Sequence, residues 1–203
     1  MPGVKSRREQ YSEATRAALL ETATTLFAER GFARTALEDV ASATQVTRGA
    51  VYHHFASKRE LFEAVLESLE TEATRRIAEA AAGTDDAWDA AMIGLDAFLD
   101  QCCDPVYGRL CWQEGPVALG WDRWKECEEK YAYGLTSQFV TSLMDAGYIE
   151  QASPEITTRF VFALLGAIGS MLADAAEADK PRVREECATL ARRLLTGLRP
   201  RPA

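Results

Sequence analysis

The chain has 203 residues, enough to bury a substantial core, with 47% apolar and 27% charged residues and a net charge of −8. The acidity is uneven: residues 1–60 hold nine Lys+Arg against seven Asp+Glu, net +2, and the remainder holds 14 against 24, net −10. This excludes polyanion binding by the surface at large, because only the N-terminal part would not repel a phosphate backbone. The start MPGVKSRREQ has no apolar stretch behind it, and the longest apolar run, from Phe160 to Ala173, is read as too short for a membrane span. A cytoplasmic protein with five reduced cysteines is expected, and the cysteine spacing matches no zinc pattern.

In chain order, residues 1–10 read as a flexible basic arm carrying Lys5, Arg7 and Arg8. A first helix is predicted from about Ser12 to Gly31, with Leu19, Leu20, Ala23, Leu26 and Phe27 at helical spacing and Phe32 folding back on it. Thr35 with Glu38, and Ser57 with Glu60, have the three-residue offset of a capping box and mark two further helix starts. Between them, Leu37, Val40 and Ala41 share one helical face, and Val51 and Phe55 share another. Gln45-Val46-Thr47 has the length of the turn in a helix-turn-helix, with Thr47 capping a very short helix. That helix keeps Arg48, Gly49, Tyr52 and His53 on its outer side, as a helix lying in a DNA major groove would. Arg48 has the forked geometry to address a guanine edge, and side-chain-free Gly49 allows close approach. Thr35, Thr47, Tyr52, His53 and Lys58 are the expected backbone contacts, Thr47 and Lys58 because they open successive helices whose N–H groups suit phosphate. His54 suits packing as well as it suits phosphate, and the adjacent histidines lack the partners a metal would need.

The string GAVYHHFASKRELF, within a match over roughly residues 12–66, resembles the tetracycline-repressor family of one-component transcription regulators. Gln45 departs from the glycine frequent in that family at the turn, which implies about 1 kcal/mol of backbone strain there or a different turn geometry. The resemblance implies an all-α fold: an N-terminal three-helix helix-turn-helix DNA-binding domain (residues 11–57) and a C-terminal helical ligand-binding and dimerisation bundle (residues 58–199). Residues 58–83 would form the connecting helix, and residues 200–203 a disordered tail.

Further along, a fourth helix is predicted from Lys58 to about Gly83, and a fifth from Asp85 or Asp86 to Asp104-Pro105. Helical pattern breaks up between Pro105 and Gly120, then resumes from Trp121 to Ala146, closed by Gly147. Ser153-Pro154-Glu155 starts another helix, and Pro181 a last one running to Leu198. All four tryptophans lie between Trp88 and Trp124, which suggests an aromatic pocket with Phe98, Trp112, Trp124 and Tyr131 as its ligand-facing members. Leu164, Ile168, Met171, Leu190 and Leu194 make apolar faces too large for one chain to cover, and Gly166, Gly169 and Ser170 would let helices approach closely across a homodimer.

These readings point to a dimeric regulator, most simply a repressor, that binds an inverted-repeat operator in double-stranded DNA and is released by an unidentified small-molecule effector. No cofactor, metal or membrane partner is expected. No nucleophile, base or phosphate loop converges as in an enzyme. The alternative within regulators is a thiol sensor using Cys102, Cys103 or Cys111.

Overall fold

The computed structural model describes residues 6–199, which are helical throughout with no strand among them. The helices are α1 (Arg7–Arg30), α2 (Leu37–Ala43), α3 (Arg48–His54), α4 (Lys58–Ala81), α5 (Ala87–Cys103), α6 (Pro105–Tyr107), a π-helix (Gly108–Glu114), α7 (Gly115–Leu119), α8 (Trp121–Asp145), α9 (Pro154–Asp174) and α10 (Lys180–Thr196). They form two compact units that divide after Glu67: an N-terminal helix-turn-helix unit and a C-terminal helical unit.

The N-terminal unit closes around Leu19, Phe27, Val40, Val51, Phe55, Leu61 and Phe62, all fully or almost fully buried. Phe62 meets the rings of Phe27 and Phe32 edge-on at 5.1 and 5.2 Å, an arrangement favoured by the ring quadrupoles. Because Leu61, Phe62, Val65 and Leu66 are all buried, the first ten residues of α4 belong to this unit, and the boundary lies beyond the expected one at residue 58. The expected arm is also shorter than residues 1–10. Ser6 Oγ accepts from the N–H of Glu9 at 3.3 Å while Glu9 returns a bond to the Ser6 N–H at 2.7 Å, so helix begins at Arg7 rather than near Ser12. Lys5 and the tail 200–203 lie outside the described residues.

The start of α2 corrects the Thr35 cap. Ala36 is the N-cap residue, and the Asp39 carboxylate accepts from its N–H at 2.9 Å. Thr35 is 1% exposed and donates its hydroxyl to the carbonyls of Gly31 (3.0 Å) and Leu26 (3.3 Å), closing the end of α1 instead. Ser57 does cap α4, accepting from Glu60 N–H at 3.1 Å, while Glu60 reaches back to Ala56 N–H at 2.8 Å.

In the C-terminal unit, Asp86 Oδ1 caps α5 and Ser153 Oγ caps α9. The broken stretch after Pro105 is nearly all helical. Asp104 Oδ1 accepts from the N–H groups of Val106 and Tyr107, Pro105 fits the first turn, and a seven-residue π-helix follows. Trp124 Nε1 donates to Cys111 O at 2.7 Å, tying the π-helix to α8. Gly169 is buried, and a Cβ there would stand 2.4 Å from the Trp112 ring, so this glycine makes room for an indole inside the unit rather than for a second chain. At 21 residues α9 is long and apolar enough to cross a membrane by length and composition, contrary to the sequence-based reading. Its Ile168 and Leu172 are core residues of the unit.

Gln45 has φ +59°, the left-handed conformation, as the turn requires. Gln45→Gly should leave stability unchanged or raise it by up to about 1 kcal/mol, and Gln45→Val should lower it by roughly 1–2 kcal/mol, measured by urea unfolding.

Candidate functional site

Two surfaces meet the description of a site, one in each unit. In the N-terminal unit, α3 has only seven residues and is held by Val51, with Phe55 just past its end; both are buried. Thr47 Oγ1 accepts from Ala50 N–H at 3.2 Å and caps it. The opposite side is uncovered: Thr47, Arg48, Gly49, Tyr52 and His53 are all exposed. Arg48 pairs with Glu38 of α2 at 3.0 Å, and its guanidinium lies 5.3 Å from the Tyr52 ring centre. Both partners of that ion pair are at least half exposed, so solvent screens it and Arg48 can exchange Glu38 for another acceptor at little cost. His54 is half-buried, and burial lowers its pKa, with the neighbouring His53 and Arg16 acting the same way.

Lys58 is less free than a phosphate-contacting lysine was expected to be. Its Nζ donates to Phe32 O at 2.8 Å and sits 4.3 Å from the Phe32 ring centre. It borders an open groove also lined by Arg34, Glu38, Tyr52 and Ser57. Thr35, the remaining expected DNA contact, is spent inside the fold and presents no hydroxyl to a ligand. Arg34 and Arg59, both exposed, were not singled out from sequence. Their position beside the groove and next to Lys58 respectively was the available signal.

In the C-terminal unit a cavity of about 570 Å³ opens between α4, α5, α8 and α9. Phe98, Trp112 and Trp124 line it, as expected. Tyr131 does not; it is half-buried, and its phenol oxygen accepts from Lys130 Nζ at 2.5 Å. The cavity takes Tyr133 instead, together with Tyr107 and Phe139.

Sequence reasoning missed the polar feature of this wall. Glu70 of α4 is 2% exposed and Glu128 of α8 is 7% exposed, and they are hydrogen-bonded to each other. Burial pushes the carboxyl of Glu128 well above the usual carboxylate range, and the charge of Glu70 adds to the shift. Burial also raises Glu70, opposed by hydrogen bonds from Tyr107, Cys111 and Glu128. Burial thus favours the protonated form at both carboxyls, more strongly at Glu128, and the two titrate as a pair. Glu70 Oε1 is buried without a hydrogen-bond partner, and Trp112 Nε1 has only the weakly accepting Cys102 thiol to face. Among the described residues no group of His, Cys, Asp and Glu is arranged to hold a metal ion.

The thiol-sensor alternative does not survive these surroundings. Cys102 and Cys111 are fully buried, and burial and then the nearby Glu70 push both thiols well above their usual range; burial raises half-buried Cys103 as well. A redox-sensing cysteine needs the reverse, an accessible thiolate.

Comparison with known proteins agrees with both units. Residues 88–198 match the family described as tetracyclin repressor-like, C-terminal domain, and residues 19–65 match bacterial regulatory proteins, tetR family. Over 63 residues, 31% of this chain, the sequence is 48% identical to the HTH-type transcriptional regulator TtgR of Pseudomonas putida, spanning only 30% of that protein's length. A TetR-family transcriptional regulator from Pectobacterium atrosepticum is similar over 98% of this chain and 100% of its own, with 26% identity and a TM-score of 0.83. The fatty acid degradation regulator FadR from Bacillus halodurans shares the fold, at 16% identity and TM-score 0.73 over 98% of this chain and 100% of its own.

The buried acid pair predicts a pH effect. An acid with a raised folded pKa stabilises the fold below its unfolded value, here near the ordinary 4.5, and that contribution is lost as pH rises through the folded value. Glu128→Gln has no such loss, so its melting temperature should gain on that of the parent as pH increases above 4.5. The gain should be about 2–4 °C per kcal/mol, read by calorimetry across the pH series.

Proposed function

The chain belongs to the tetracycline-repressor family of bacterial regulatory proteins, and we propose that this member is a cytoplasmic, homodimeric repressor that leaves an inverted-repeat operator when a small molecule fills the cavity of its C-terminal unit. The observation that carries the DNA-reading half is the uncovered outer side of α3, with Arg48, Gly49, Tyr52 and His53 exposed above the buried Val51. On DNA, Arg48 exchanges Glu38 for a guanine edge, and Thr47, Tyr52, His53 and Lys58 contact backbone phosphates. Lys58 does so by extending from the Phe32 carbonyl it holds in the free protein.

Dimerisation is supported by apolar side chains left in solvent on the last two helices: Phe160 (75% exposed) and Met171 on α9, Leu190 and Leu194 on α10, and Leu198 just beyond. Leu164 is partly covered and belongs at the edge of this face, whereas Ile168, also expected there, is 2% exposed and belongs to the core. Two-fold pairing through these helices requires a two-fold DNA target. The effector half is supported by the cavity. Glu70, Ala73, Thr74 and Ile77 of α4 line it, and the same helix begins with Lys58. A ligand that favours one position of α4 biases both ends of one helix, and a coupling of about 1–3 kcal/mol between ligand and DNA follows by linkage.

Fluorescence anisotropy on operator DNA tests this reading. Arg48→Ala should cost about 1–3 kcal/mol on the preferred site and relax base preference at one position of each half-site. Lys58→Ala should weaken binding to all sequences alike and flatten the salt dependence by a slope of about 1. Unchanged affinity and selectivity in Arg48→Ala would overturn the assignment of α3. Leu190→Asp with Leu194→Asp should yield monomers by sedimentation and lose the operator; a variant that stays dimeric would remove α10 from the interface.

A further inference from the structure

The cavity wall holds a buried carboxyl, Glu70, with one oxygen unpartnered and no cation beside it. Glu70 is faced by Tyr107 of α6, Cys111 of the π-helix and Glu128 of α8, and Cys102 of α5 feels its field. Every one of these neighbours is neutral or acidic. The basic side chains that reach the cavity, Lys125 and Arg159, are exposed, and Arg159 is engaged by Glu155 and Glu129. A carboxylate taken out of water normally has a cation or a full set of donors to offset the desolvation. Glu70 has no cation among these neighbours, and its Oε1 has no donor. The same cavity is lined by Phe98, Tyr107, Trp112 and Tyr133, aromatic rings of the kind whose faces favour positive charge.

We propose that the effector is an amphipathic organic amine, whose apolar body lies among the rings of Phe98, Trp112 and Tyr133 and whose protonated nitrogen donates to Glu70 Oε1. The proposal rests on the reading of this cavity as the effector site. It follows from the two things the wall lacks, a donor and a positive charge: a hydroxyl supplies the first alone, an ammonium supplies both. A cavity of about 570 Å³ is large enough for a drug-sized body behind that head group.

The test is calorimetric titration of the full-length protein with naphthylethylamine and with naphthylethanol, which share a skeleton and differ in the head group. The amine should bind saturably and about tenfold or more tighter than the alcohol at neutral pH. Glu70→Gln should bring the two within about threefold of each other. An alcohol that binds the parent as well as the amine, or a Glu70→Gln protein that still prefers the amine, overturns the proposal and leaves the cavity as an effector site for another chemistry. Saturable binding of neither compound overturns both. The comparison in the parent protein decides the matter even if a variant fails to fold.

Discussion

A seven-residue helix does not hold itself together in water; helices shorter than about 12–15 residues are marginal in isolation. α3 exists because Val51 and Phe55 are buried in the core of the N-terminal unit, where α2 packs on α3 and Arg16 of α1 lies over the Phe55 ring, each contributing roughly 1.5–3 kcal/mol of hydrophobic stabilisation. Those two side chains lie on one side, four residues apart, and so decide what the other side is free to do. Arg48, Gly49, Tyr52 and His53 are outward because Val51 and Phe55 are inward. The DNA-reading proposal depends on this division of a short helix into a buried half and an uncovered half.

The second constraint is electrostatic. A helical bundle lined by aromatic rings has little reason to bury two glutamates, and the hydrogen bonds they share do not cancel the cost of removing a carboxylate from water. Glu70 belongs to α4, the helix whose beginning supplies Leu61 and Phe62 to the N-terminal core. One element thus carries both a core-forming end and a cavity-lining stretch with a buried carboxyl, which is why the proposed function gives α4 the switching role.

Legibility in the sequence followed the range of the interactions. Caps and faces made within four residues, such as Thr47 over α3, Ser57 over α4 and the Val51–Phe55 pair, were readable from spacing alone. At Gln45 spacing alone was silent: the family resemblance flagged the turn position, and the structure decides for the left-handed conformation over another geometry. Thr35 was misplaced by one position because Glu38 and Asp39 both offer a carboxylate at cap distance, and what decides between them is a hydroxyl bond to Leu26, nine residues back. The Ser6–Glu9 capping box was legible and was passed over inside a charged segment. Tyr131 and Tyr133 could not be ranked without knowing which side of α8 faces the cavity. Glu70 and Glu128 lie 58 positions apart on helices rich in charge, where acidic residues ordinarily mark a solvated face; only the packed structure brings them together. The match to the family's two domains covers most of the chain, yet it says little about the lining of the cavity, whose features come from long-range packing.

The claim on which the account stands is that two copies of α3, presented by a symmetric pair, read one duplex. Selection of bound DNA from a random pool by the full-length protein measures this directly. The account predicts recovery of an inverted repeat whose half-sites contain a guanine lost from the preference when Arg48 is replaced by alanine. Recovery of a single, non-repeated site, or of no enriched sequence at all, would contradict it.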